Sequence, residues 1–240
     1  MNYSFALIIM ICLGGLIGYL SGSVLFAVYF SNIFKKQDVR QVGSNNPGFT
    51  NSTRVYGKKI GFLVLILDVL KTIVPTVVFY LIYRFWLQEY CLPHATQFYN
   101  PSIFVYVPGI FAVIGHIFPI FHKFKGGKGV ACYGGLCICL SPFIALIGIL
   151  IIVACVLKTK KMSIGSLSAA IIVPFLVLVP GVNYLYFMYP SINECVTIAI
   201  NNAVIFVPIF VACLALSALV IFRHKKNIKD LLNKTEKRII

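Results

Sequence analysis

Six apolar runs recur along the chain, at residues 4 to 30, 60 to 86, 102 to 121, 130 to 156, 163 to 180 and 203 to 222. A helix needs about 20 apolar residues to cross roughly 30 Å of hydrocarbon, and a soluble core of this size would alternate apolar with polar positions instead. With 60% hydrophobic and 11% charged residues and a mean hydropathy of +0.93, the chain belongs in a bilayer, as helices rather than strands. The first run has no basic residue before it and is too long for a signal-peptide core, so it is expected to remain as a transmembrane helix. The whole chain, 1–240, reads as one integral membrane domain.

The net charge of +15 would suggest nucleic acid in a soluble protein. In a membrane protein it marks cytoplasmic loops and anionic partners, and no stretch has the glycine and aromatic spacing of an RNA-binding sheet, so nucleic acid is not expected as a partner. Segments 31–59, 122–129, 157–162 and 223–240 hold 6, 3, 3 and 7 Lys plus Arg, which is 19 of the 21. Connections 87–101 and 181–202 hold none and read as external.

A single crossing by run 130–156 would invert that bias, so the run must enter and return on one side. Its 27 residues reach only ~40 Å as one helix, which calls for two short half-helices broken at Ser141-Pro142. The expected fold is therefore an all-α polytopic membrane protein of seven helical segments, with the amino terminus outside and the carboxyl terminus cytoplasmic. Six cysteines lie in apolar runs and act as small hydrophobes. Cys91 and Cys195 fall in the two external connections, where a disulfide is geometrically conceivable but unspecified by spacing.

Three polar segments then share the cytoplasmic face. Residues 41–54, QVGSNNPGFTNSTR, offer side-chain and backbone donors with tight-turn residues, suited to holding an anion or to an ordinary polar loop. Residues 115–130, GHIFPIFHKFKGGKGV, combine Lys125 and Lys128 with Gly126, Gly127 and Gly129 just ahead of a helix start, the parts of a phosphate cradle. The loop is not a Walker A motif, because the GxxxxGK[ST] spacing is absent. Residues 223–236, RHKKNIKDLLNKTE, place Ile228, Leu231 and Leu232 at helical spacing, as in a short amphipathic surface helix. Asp68 and Lys71, at i and i+3 inside the second helix, are expected to pair or to meet a polar loop.

At these segments the sequence resembles the bacterial acyl-phosphate:glycerol-3-phosphate acyltransferases, the PlsY family, integral membrane enzymes of seven helices. The family patterns look like GSGNxGATNxxR, GHxFPxFxxFKGGKGVAT and HRxNIxRLxxGxE. Here the first is carried by Gly43, Ser44, Asn46, Gly48, Thr50, Asn51 and Arg54, and the second by Gly115 to Ala131 almost without interruption. The third is carried by His224, Asn227, Ile228, Leu231 and Glu236. Asn45 and Lys234 stand where the family has glycine, Phe49 and Pro47 where it has other residues, and Cys132 where it has threonine.

The resemblance implies transfer of a fatty acyl group from acyl phosphate to the 1-hydroxyl of sn-glycerol 3-phosphate, giving lysophosphatidate and inorganic phosphate, at the bacterial cytoplasmic membrane. Acyl phosphate is already activated, so positioning and oxyanion stabilisation suffice. No metal or cofactor is called for, and membrane lipid is the other expected partner. The HxxxxD signature of acyl-CoA or acyl-carrier-protein acyltransferases is absent: none of His94, His116, His122 and His224 has an aspartate five residues on. Ser44, Lys128, His224, Asn227 and His116 are the implied catalytic residues. Asn46, Thr50, Asn51, Arg54, Lys125, Gly126, Gly127 and Gly129 are the implied substrate-binding ones. The proton is expected to pass to substrate phosphate, whose second pKa is ~6, with His116 and His224 as the other acceptors. A transporter for a phosphorylated metabolite and a non-catalytic membrane scaffold are the competing readings.

Overall fold

The computed structural model describes residues 3–34, 37–87, 101–179 and 206–236, and every regular element among them is helical. Cys91 and Cys195 lie outside the described residues. Helix α1 (Tyr3–Ser23) and α2 (Phe26–Phe34) form one 30-residue apolar span, Phe5–Phe34, interrupted at Val24 and Leu25. The interruption matters, because Val28 N–H bonds Leu25 O at 3.0 Å and leaves Val24 O to another donor. Beyond a 3₁₀ turn (Val39–Gln41), α3 (Phe49–Tyr56) leads through Gly57 into α4 (Lys58–Ile82), which continues to Leu87 as a π turn.

Helix α5 (Val107–Ile117) packs along α1, and small residues permit the approach. A Cβ on Gly18 or Gly22 would strike the backbone oxygens of Pro108 and Ala112, as expected where lipid tails offer helices no hydrophobic drive and close packing substitutes for it. Run 130–156 breaks where proline demands, into α6 (Val130–Leu140) and α7 (Pro142–Thr159), with Ser141 extended between them. The halves are unequal. Eleven residues reach about 16 Å, whereas the 18 of α7 reach about 27 Å and are long and apolar enough to cross on their own. The expectation of two short half-helices is corrected to one short and one of spanning length.

Helix α8 (Met162–Leu176) pairs with α7 and α9 (Val207–Arg223). A 57° bend at His224 separates α9 from α10 (Lys225–Leu232), the amphipathic helix expected from Ile228 and Leu231. Four helices meet spanning length and apolarity, Phe5–Phe34, Lys58–Leu87, Phe104–His122 and Pro142–Thr159, and the bent pair makes up to five.

The core joins Met10, Phe79, Val113, Ile117, Leu136, Leu140, Ile144, Ile209 and Leu216 from α1, α4, α5, α6, α7 and α9, with Tyr106 from the 3₁₀ turn (Pro101–Tyr106) before α5. Phe62, Ile66, Leu146, Ile149, Leu150 and Phe175 point outward, exposed, as side chains facing lipid do. Cys132, Cys137, Cys139 and Cys213 are buried free thiols packed like other small apolar groups.

Candidate active site

The glycine turn between α5 and α6 is held from three directions. Gly127 N–H donates to His116 O at 3.0 Å, and Arg223 donates through Nη2 to Gly126 O at 2.8 Å and through Nε to Gly127 O at 3.2 Å. Arg40 Nη1 donates to the carbonyls of His122 and Lys125, each at 3.4 Å, while its other guanidinium edge grips Asp38 at 2.6 Å. That bond, with Arg40 N–H on Asp38 Oδ1, holds the Asp38 carboxyl below its usual range. Only glycine fits at 127, because a Cβ there would strike His116 Nε2. Gly129, at φ 86°, turns the chain into α6, whose first amides have no intrahelical acceptor and no side-chain cap.

Lys128 sits at this helix start, half-buried. Burial lowers its pKa to about 8, with Glu236 pulling it up and Arg54 and Arg223 pushing it down. Those influences come from segments far apart in sequence that lie within electrostatic reach of one ammonium. Arg54 is exposed on the last turn of α3, one helical turn beyond Thr50. Ser44 and Asn46, half-buried, lie on the turn before it, and Lys125 points outward, exposed.

Asn51, a substrate-binding residue by the motif, is tied to the backbone around it. Its Nδ2 donates to Val39 O at 3.0 Å and Val42 O at 2.9 Å, its Oδ1 accepts from Ser44 N–H at 2.8 Å, and the residue is buried. An amide so committed shapes the Ser44 turn and has little left for substrate. Half of segment 41–54 is helix rather than loop, because α3 packs on α4 through Thr53 against Gly61. Phe49 turns its ring onto Phe62 of α4, 5.3 Å between centroids, on the lipid-facing side.

At the bend after α9, buried His224 places Nδ1 2.7 Å from Val220 O. A carbonyl only accepts, so Nδ1 carries the proton, and because burial pushes the ring's pKa down to about 4 the neutral ring keeps its lone pair on Nε2. Asn227 Nδ2 donates to Ser163 Oγ at 2.7 Å and to Glu236 Oε1 at 2.8 Å, and Ser163 also bonds Glu236. Glu236 Oε2 is buried without a partner, leaving one acceptor beside this cluster. Ser163 and Arg40 carried no local signal pointing to the site, whereas Arg223 opens the third polar segment.

Beneath the turn, Asp68 and Lys71 pair at 2.8 Å as their spacing implied, and the Lys71 ammonium also lies 2.9 Å from His116 Nδ1. Cys132 completes this cluster: Asp68, His116 and Cys132 bring one ligand-type atom each within 4.8 Å of one another, with Lys71 already among them.

Residues 12–234 match the family model described as glycerol-3-phosphate acyltransferase. Glycerol-3-phosphate acyltransferases of Ureaplasma parvum serovar 3 and Mycoplasma pneumoniae are each 41% identical to this chain over all of it, covering 92% and 98% of their own lengths. The crystal structure of PlsY, an integral membrane glycerol 3-phosphate acyltransferase, in its glycerol 3-phosphate form superposes with a TM-score of 0.69 at 30% identity, covering 95% of this chain and 94% of that one. Its lysophosphatidic acid form gives a TM-score of 0.67 at 28% identity.

Proposed function

Because the chain belongs to the glycerol-3-phosphate acyltransferase family, we propose that it transfers an acyl group from acyl phosphate to the 1-hydroxyl of glycerol 3-phosphate at the Lys128 turn. The observation that carries this reading is the glycine turn at residues 126–129, held through Gly126 O and Gly127 O by Arg223 of α9 and leading into the uncapped start of α6, with Lys128 half-buried on it and Arg54 and His224 within its electrostatic reach. Both reactants carry phosphate, and a half-buried ammonium beside unpaired helix amides is a site for one.

In this reading Lys128 and the first-turn amides of α6, beyond Gly126, Gly127 and Gly129, hold the acyl phosphate, with Lys125 attracting it from outside. Arg54, Ser44, Asn46 and Thr50 hold glycerol 3-phosphate, and Asn51 shapes the turn that presents Ser44. Asn227 and His224 border the same site. The glycerol hydroxyl attacks the acyl carbonyl; the new ester C–O bond forms, the bond to phosphate breaks, and the hydroxyl proton goes to a phosphate oxygen. Lys128 stabilises the negative charge that develops on the leaving phosphate. His224 Nε2 is the protein's alternative proton acceptor.

The seven helical segments, with α6 and α7 entering and returning on one side, leave the amino terminus outside and the carboxyl terminus inside, with the site on the cytoplasmic face of the cell membrane. The support is charge: three of the four segments rich in Lys and Arg carry the site.

The test is phosphate release from acyl phosphate by purified protein in detergent, dependent on glycerol 3-phosphate, with lysophosphatidate as product. Lys128→Ala and Arg54→Ala are expected to lose it. Wild type as inactive as both variants with every acyl phosphate tried would remove the proposal.

A further inference from the structure

Lys71 is buried on α4, and its ammonium has three protons and three neighbours: Val24 O at 2.7 Å, Asp68 Oδ1 at 2.8 Å and His116 Nδ1 at 2.9 Å. The first exists because the α1/α2 interruption leaves a carbonyl open. The second, a carboxylate, keeps the lysine charged where an unpaired charge would be costly. An ammonium has no lone pair, so at 2.9 Å it can only donate to His116 Nδ1, which must accept; Asp68 Oδ1, 3.6 Å from the same nitrogen, is beyond hydrogen-bond distance. A doubly protonated imidazole would aim an N–H at the ammonium and is excluded by like charge. The His116 proton therefore sits on Nε2.

Nε2 faces the glycine turn, since it is the first atom a Cβ on Gly127 would meet, and the turn is tied to the same residue through Gly127 N–H on His116 O. We infer that Lys71 is a positioning residue of the acyl-transfer site, locking His116 as an Nε2–H donor at the KGGKG turn and so removing it from the candidate bases. This rests on the acyl-transfer reading for its functional meaning, but the lock itself does not. His224 is set the opposite way: its Nδ1–H is held by Val220 O, so the two buried histidines offer the site one fixed donor and one fixed acceptor.

Nitrogen NMR of the full chain, labelled with ¹⁵N-histidine in lipid nanodiscs and assigned with His116→Gln, reads the tautomers without turnover. The expected result is protonated Nε2 and bare Nδ1 on His116, and the reverse on His224, between about pH 6 and 9. Lys71→Met is expected to give a mixture of His116 tautomers, and kcat lower by about tenfold with KM for glycerol 3-phosphate changed less.

His116→Gln, whose side-chain amide supplies an N–H near the Nε2 position, is expected to retain at least about ten times the activity of His116→Ala. A protonated Nδ1 on wild-type His116, or glutamine as inactive as alanine, overturns the inference. If Lys71→Met does not fold, the wild-type spectrum and the His116 pair still decide. An inactive wild type with the Nε2–H signature would refute the acyl-transfer reading and leave the lock standing.

Discussion

Arg223, the last residue of α9, lies across the turn between α5 and α6 with one guanidinium nitrogen on Gly126 O at 2.8 Å and another on Gly127 O at 3.2 Å. Two consecutive carbonyls held by a planar fork cannot rotate their peptide planes toward an incoming phosphate. Lysine cannot make both bonds, since its ammonium is a single point on a flexible stem. Arg223→Lys is therefore expected to lower kcat/KM about tenfold and Arg223→Met further, in line with the roughly 1.5–3 kcal/mol of a hydrogen bond to a charged group. Coupled phosphate-release assays check this; Arg223→Met at wild-type rates would contradict it.

The local half of this architecture was legible in the sequence. Ser141-Pro142 announced a helix break because proline has no N–H to give, and the i,i+3 spacing of Asp68 and Lys71 announced their pair. The Lys128 turn was visible in its glycines. The ties that hold the site were not. Asn227 meets Ser163 across 64 positions, and Arg40 meets Lys125 across 85, and a serine within an apolar run carries no mark of its partner. Helix α3 carried no helix signal, because Asn, Ser, Thr and Gly are poor helix formers; packing against α4 overrides that preference. The resemblance implies Asn51 as a ligand, but nothing local in the sequence showed that its amide also meets the carbonyls of Val39 and Val42.

An alkaline limit to activity is expected from Lys128. Burial lowers its ammonium pKa to about 8, against the raising influence of Glu236, so the cation is present below that pH and disappears above it. Binding of a phosphate anion weakens as the charge is lost. The expected profile is kcat/KM falling above about pH 8, with the kcat inflection displaced upward because bound phosphate holds the proton on. Lys128→Arg, if active, should lose this alkaline fall, since guanidinium stays charged. An unchanged inflection near 8 in that variant would assign it elsewhere.

Asn51 is expected to matter for stability before it matters for binding. Alanine leaves Val39 O and Val42 O without their donor, a cost of about 2 kcal/mol. Asn51→Asp is expected to be worse, by roughly 3–5 kcal/mol, since it aims a buried carboxylate at two carbonyls. Thermal unfolding in detergent should therefore rank wild type above alanine and alanine above aspartate. If aspartate unfolds with wild-type stability, the amide is not held as the structure shows.

Two of the family's glycines are replaced here at positions where the backbone is left-handed: Asn45 at φ 60° and Lys234 at φ 59°. The penalty for a side chain in that conformation is about 1–2 kcal/mol, but asparagine escapes much of it through local hydrogen bonding. Glycine relieves the strain and also loosens the unfolded chain, which offsets about 0.4–1 kcal/mol. The balance differs between the two sites. Lys234→Gly is expected to raise stability by about 0.5–1 kcal/mol, whereas Asn45→Gly should leave it unchanged or slightly lower. Lys234 also closes the turn after α10, where Thr235 and Glu236 N–H both bond Asp230 O, so relief there steadies the approach of Glu236 to Asn227. The measurement is the thermal midpoint of each variant at fixed detergent and lipid, and a larger gain at Asn45 than at Lys234 would reverse the argument.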